Sequence, residues 1–253
     1  MMKSGGPLMV NVYIDGYNFY RPIQLAAEER RSATTLRLAW CDYCALAERL
    51  AQREFPGQRV GAVKLFTAYI PAGRNVPLDP EGLKRKSLWL EALHLHSGSR
   101  LHVSFGRWEP REEDRARPKE KLTDVKLAIS LVRDAFCPRA GSATPWDPER
   151  PYNDDDPAAP FDHAIVISAD KDFLPAAELV IRETRKPVRI VFPHLSSAYA
   201  KPAGCPVGFS RISEEDLRST PLPDAIARPD GTEISWTRYV ESKGWPVPKI
   251  AGR

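Results

Sequence analysis

Five short runs rich in β-branched residues alternate with amphipathic stretches, and this alternation limits the folds open to the chain more than any other feature. Residues 8–14 (LMVNVYI) form an apolar run that stops at Asp15-Gly16, the pattern of a buried strand emptying into a turn. Residues 59–70, 101–108, 164–168 and 188–192 read as four more strands. Between them, residues 35–55, 81–95, 122–136 and 173–184 repeat apolar positions every three or four residues, as helices do. In the third of these, Leu122, Val125, Ile129, Val132 and Phe136 mark the face expected to be buried. The order βαβαβαβαβ predicts an α/β protein with a mostly parallel central sheet covered by helices on both faces, a three-layer α/β/α sandwich.

Two segments break the alternation. Residues 107–121 hold six basic and five acidic side chains, so they read as a solvated mixed-charge loop and not as a nucleic-acid footprint. Residues 138–160 carry Pro138, Pro145, Pro148, Pro151, Pro157 and Pro160 with the acidic run Asp154, Asp155 and Asp156, an insertion of surface-loop character. Ser213 is placed to cap one short helix before a loose tail. The expected organisation is a flexible N-terminus (1–8), one domain (9–210) interrupted by the insertion, and a C-terminal extension (211–253).

Composition narrows function only slightly. The chain has 253 residues, 42% hydrophobic, and a net charge of +4, which permits a polyanionic partner without requiring one. No apolar run approaches the ~20 residues needed to cross a bilayer, and the first residues lack the apolar segment of a secretory signal. A cytoplasmic location without membrane attachment is the expectation. Cys41 and Cys44 make one CxxC, with Cys137 and Cys205 far away and no second CxxC or HxxxH, so they read as helix cysteines and not as half of a zinc site. His94 and His96 read the same way, near a helix end where they complement the dipole.

The chemistry concentrates on aspartates. In open parallel sheets, ligands bind beyond the carboxyl ends of the strands where strand order reverses. Asp15 closes the first strand, and Asp170 and Asp172 follow the fourth. Asp124 opens the helix that crosses over to the fourth strand, and Asn18 lies three residues after Asp15. Carboxylates gathered in one crevice repel unless a cation neutralises them, and a hard divalent ion with oxygen ligands suits such a group. A second reading stands beside this one: an Asp after a strand is the ordinary cap of the next helix, and Asp-Gly the ordinary material of a turn.

Three blocks bear on that choice. They are VYIDGYNFY (12–20), KLTDVKLAISLV (121–132) and IVISADKDFLPAAELVIRETRKPVRIVF (165–192). They resemble the NYN domain family, a branch of the PIN-like nucleases that includes LabA-like proteins. Ile14, Asp15 and Asn18 match its I-D-x-x-N pattern, Lys121 and Asp124 its K-x-x-D, and Ser168, Asp170, Asp172 and Phe173 its S-x-D-x-D-F. The resemblance implies a PIN-like sandwich and a nuclease centre dependent on Mg²⁺ or Mn²⁺, acting on RNA and leaving 5′-phosphate and 3′-hydroxyl ends. It implies Asp15, Asp124 and Asp170 as metal ligands, Asp172 as a further ligand or base, and Asn18 and Ser168 as orienting groups. Many members carry another Asp six residues after the helix Asp. Ser130 stands there instead, with Asp134 one turn on as a substitute if the helix geometry allows.

The expected activity is therefore a metal-dependent endoribonuclease acting on single-stranded or flexible RNA. Lys64, Arg85, Lys121, Lys126 and Lys171 are candidates for phosphate contacts. Tyr17, Phe19 and Tyr20 are candidates for base stacking, with the core the better place for Phe19. A non-cleaving RNA- or protein-binding module on the same fold is the alternative, and a second copy or a regulatory protein are the further partners considered. A phosphatase with an Asp nucleophile would want a carboxylate two residues after Asp15, where Tyr17 stands.

Overall fold

Alternation along the first strand decides the layering. Val10, Val12 and Ile14 pack into one apolar cluster and Tyr13 into the other, because successive side chains of a strand point to opposite faces. The computed structural model describes residues 8–69, 80–109, 119–137 and 157–241. The first seven residues, residues 70–79, most of the mixed-charge loop, residues 138–156 of the insertion with Asp154, Asp155 and Asp156, and the chain after 241 lie outside the described residues.

In chain order the strands are Met9–Asp15 (β1), Arg59–Tyr69 (β2), Leu101–Glu109 (β3), Lys119–Lys121 (β4), His163–Ile167 (β5), Val188–Phe192 (β6), Gly208–Arg211 (β7), Ala225–Ala227 (β8) and Glu233–Ser235 (β9). The helices are Gly16–Arg30 (α1), Ala33–Arg37 (α2), Tyr43–Glu54 (α3), Pro80–Ser97 (α4), Thr123–Phe136 (α5), Leu174–Thr184 (α6), Glu214–Arg218 (α7) and Trp236–Glu241 (α8). Seven strands form one sheet in the order β4-β3-β2-β1-β5-β6-β7, parallel except for β4. The fold is the expected three-layer α/β/α sandwich. One layer buries side chains of α1 to α4 with α7 and α8 against β1, β2 and β5; the other buries α5 and α6.

The chain order runs outward from β1 through β2 to β3, then returns to β5 on the other side of β1 and runs outward again. The reversal therefore lies between β1 and β5, where the sequence places Asp15 and Asp170.

The structure departs from the sequence reading at several points. Asp15-Gly16 makes no turn: Gly16 starts α1 directly, and Phe19, Ile23 and Ala27 bury one side of that helix. Gly16 and Pro22 conceal a helix whose buried residues recur every four positions. The helix expected over 35–55 is two helices, because Asp42 caps α3 by accepting from the amides of Cys44 and Ala45. Part of the expected mixed-charge loop is the antiparallel strand β4. The tail after Ser213 is not loose. Trp40 donates its indole N–H to the Pro223 carbonyl at 3.0 Å and packs near Trp236 and Tyr239, with ring centroids 5.7 and 5.3 Å away. Ser213 does cap α7, with Asp216 completing a reciprocal capping box.

The face of α5 is inverted. Thr123, Leu127, Ser130, Leu131, Asp134 and Ala135 are its buried residues, whereas Leu122, Val125, Ile129 and Phe136 are exposed and Val132 is half-buried. The cause lies on β2, where Lys64 is 1% exposed. Its ammonium donates to Asp134 at 2.5 Å, to Ser130 at 3.2 Å and to the Pro157 carbonyl at 2.8 Å. A buried cation has to be paired and hydrogen-bonded, so α5 turns its Ser130 and Asp134 edge inward.

Candidate functional site

Ile14 packs in the core and Asp15 follows it at the carboxyl end of β1, 1% exposed. Its side chain takes the expected capping role: Oδ1 accepts from the Asn18 amide at 3.1 Å, which starts α1. Oδ2 accepts from the Asn18 side-chain amide at 2.5 Å and from Ser168 Oγ at 2.9 Å. Ser168 follows β5, so this hydroxyl bridges the two strands that flank the reversal. Its oxygen in turn accepts from the Asp170 amide at 3.0 Å. Asp15, Asn18, Ser168 and Asp170 are thus one connected group.

Burial pushes the Asp15 carboxyl up to about 7, and the charge of Asp124 adds to the rise. The hydrogen bonds from Asn18 and Ser168 act the other way by favouring the ionised form. Asp124 lies in the first turn of α5, behind Leu122, whose backbone is left-handed at φ 73°. That conformation costs a non-glycine residue of order 1 kcal/mol, and here it swings α5 directly off the edge strand β4.

Asp170 is half-buried, and its Oδ1 caps the 3₁₀ turn Lys171–Phe173 by accepting from the Asp172 amide at 2.9 Å. Asp172 itself is exposed. Capping and site roles thus fall on the same residues. Among the described residues, no three His, Cys, Asp or Glu side chains form a group that could hold a metal ion as they stand. Asp15 and Asp124 act on each other electrostatically, and Asp170 joins them through Ser168.

The donor set nevertheless suits a hard cation. Asp15 accepts only from neutral donors, with no cationic side chain against it among the described residues, and a second carboxylate raises its pKa. Mg²⁺ and Mn²⁺ need one or two carboxylates and complete their shell with water and phosphate oxygens.

Several sequence candidates fall elsewhere. Lys64 is spent on Asp134, so it contacts no phosphate, and Asp134 is locked away from the crevice by the same pair and by the Tyr13 hydroxyl at 2.8 Å. Lys126 donates to the Phe105 carbonyl at 2.7 Å. Phe19 is in the core, edge-on to Tyr43. Tyr20 shares a hydroxyl contact with Tyr239 and packs near Trp89, so it stacks no base. Arg85 is half-buried and acts electrostatically on that tyrosine pair. The Lys121 side chain lies outside the described residues. Tyr17, 52% exposed, and the exposed Lys171 remain at the rim, each beside a residue of the connected group. Cys41 and Cys44 are buried thiols pushed by burial up to about 12 and about 11; Cys44 lies in α3 as expected, whereas Cys41 lies before the helix and bridges to Pro221.

One neighbour escaped the sequence reading. Tyr199 packs edge-on against Phe192 and Phe209, and its buried hydroxyl has no hydrogen-bond partner among the described residues. Burial and then the charge of Asp170 push it up to about 12. It lies in the segment after β6, in no motif or periodic pattern that would have marked it.

No family model matches the chain, and no curated protein matches it. The crystal structure of a protein of unknown function from Vibrio parahaemolyticus is similar, at 18% identity and a TM-score of 0.48 over 85% of this chain and 98% of the other. No helix among the described residues is long and apolar enough to cross a membrane.

Proposed function

We propose that the chain is an NYN-type, PIN-like ribonuclease that hydrolyses phosphodiester bonds of single-stranded or flexible RNA with Mg²⁺ or Mn²⁺, in the cytoplasm. The observation that supports this most is the placement of Asp15, a buried carboxylate at the strand reversal, without a cation among its partners in the described residues and with Asp124 acting on it. Asp15 and Asp124 would hold the ion, and Asp170 would reach it through water or a phosphate oxygen. When bound, such an ion polarises a phosphoryl oxygen and lowers the pKa of a water. The chain's own residues do the rest. Asn18 and Ser168 fix both oxygens of Asp15 and favour its charged form. Lys171 offers a positive charge to the phosphate backbone and Tyr17 a ring to an unpaired base.

The test is cleavage of a labelled single-stranded RNA with Mn²⁺. Wild type should cut it and Asp15→Asn should not; equal rates for the two would remove the assignment. A non-cleaving RNA-binding module is the second reading, favoured by the lack of a gathered three-ligand group among the described residues. RNA binding that Mn²⁺ leaves unchanged, without turnover, would support it.

A further inference from the structure

The outward face of α5 carries Val125, Ile129 and Phe136 at 54%, 59% and 54% exposure, with Val132 half-buried between them and the N-cap residue Leu122, 43% exposed, just before the helix. Their spacing of three, four, three and four residues is the seam one helix presents to another. Scattered apolar residues on a surface are ordinary, but a continuous stripe along a helix opposite its buried face marks an interface.

We propose that this stripe pairs with the same stripe of a second copy of the chain, antiparallel about Ile129; the inference goes beyond the ribonuclease reading and does not rest on it. Symmetry is the first argument. Ile129 is the midpoint, Leu122 and Phe136 lie seven residues to either side, and Val125 and Val132 lie four and three away. A two-fold axis at Ile129 therefore sets each Leu122 against a Phe136 and each Val125 against a Val132, the self-complementarity an isologous contact requires. The second argument is charge. The neighbouring cations are drawn off the stripe, Lys126 by the Phe105 carbonyl and Arg133 by the Asp134 carboxylate at 3.2 Å, so two copies can meet without setting these cations against each other, with the exposed Asp124 at the edge beside Val125.

Area sets the strength. Half-exposed side chains of this size leave on the order of 400 Å² per copy in water. Two stripes then bury on the order of 800 Å², below the about 1,200 Å² at which stable specific interfaces begin, so the pair is a weak, transient one. The pair should accordingly form with a dissociation constant of roughly 10–100 μM, not nanomolar.

Sedimentation of the full chain over that concentration range reads the equilibrium. Wild type should pass from monomer to dimer, and Ile129→Asp should stay monomeric with an unchanged circular dichroism spectrum. In a Cys137→Ser background, Ile129→Cys should cross-link to itself on mild oxidation and Val125→Cys should not, because only the residue on the axis meets its own copy. A wild-type monomer throughout, or a dimer indifferent to Ile129→Asp, overturns the proposal. Cross-linking at both positions overturns the antiparallel arrangement. Should Ile129→Asp fail to fold, the cysteine pair alone decides.

Discussion

Ser168 Oγ donates to Asp15 Oδ2 at 2.9 Å while accepting from the Asp170 amide at 3.0 Å. An ionised Asp15 can only accept, so the hydroxyl proton is aimed at it while a lone pair of the same oxygen takes the Asp170 N–H. Ser168 is thus a positioning residue that stabilises a buried negative charge. Ser168→Ala should raise the Asp15 pKa further, by up to about one unit, since a hydrogen bond to a charged group is worth about 1.5–3 kcal/mol and part of it is recovered by relaxation. A carboxyl-carbon NMR titration checks this. An unmoved Asp15 would mean that the hydroxyl contributes nothing to its charge.

Asp15 also makes stability depend on pH in a direction opposite to that of a salt-bridged carboxylate. Its folded-state pKa, about 7, lies above the ordinary carboxylate value. The folded protein therefore holds a proton that the unfolded chain releases, and stability falls as pH rises from about 4 to about 7 before levelling off. The full drop is on the order of 4 kcal/mol. Asp15→Asn, which has no charge to bury and still caps α1, should flatten this slope and be the more stable protein at pH 8. Urea unfolding at pH 5 and pH 8, both without divalent ions, is the measurement; parallel slopes for the two proteins would remove the burial argument.

The Lys64–Asp134 pair stands in a different relation to stability. Both side chains are at most 1% exposed, and the carboxylate also takes the Tyr13 hydroxyl and the Ala159 amide at 3.1 Å. Lys64→Met should cost about 3 kcal/mol, because it removes the fully buried partner of Asp134 and leaves that carboxylate in the core with the half-buried Arg133, 3.2 Å away, as its remaining cation among the described residues. Adding Asp134→Leu should recover much of the loss, even though the second substitution alone is also harmful. Chemical unfolding of the two single variants and the double variant completes the cycle; additive losses would show that the pair is not coupled.

This buried pair also explains what the sequence could and could not reveal. The strands were legible because Val10, Val12 and Ile14 alternate on a period of two, but that β1 and β5 are neighbours flanking the reversal is set by the sheet and not by the sequence. Asp15, Asn18, Ser168 and Asp170 were legible because they follow strand ends. The orientation of α5 was not. That helix carries two apolar series, Leu127 with Leu131 and Val125 with Ile129, and hydrophobic periodicity cannot choose between them. The choice was made by Lys64, 66 residues before Ser130 and 70 before Asp134 in the chain. Helix α1 stayed hidden because Gly16 and Pro22 punctuate it, although Phe19, Ile23 and Ala27 recur at helical spacing. Tyr199 was invisible because its place beside Asp170 arises only from how the segment after β6 folds back.

The position that couples fold to site most directly is Gly16. A Cβ there would stand 3.0 Å from Leu65 Cδ1, 3.0 Å from the Phe66 carbonyl oxygen and 3.2 Å from Thr67 Cβ. The leucine methyl can rotate away, but the carbonyl belongs to β2, which is paired with β1 through Asp15 and Phe66. Alanine would ordinarily improve a helix by up to about 1 kcal/mol. Here the contact with fixed backbone outweighs that gain, so Gly16→Ala should lose about 1–2 kcal/mol on balance. Because Gly16 directly follows Asp15, the displacement should also loosen the bonds from Asn18 and Ser168. The same variant should therefore gain less thermal stability from added Mn²⁺ than wild type does. Urea and thermal unfolding with and without Mn²⁺ read both effects, and a Gly16→Ala protein as stable as wild type would show that the β2 backbone gives way.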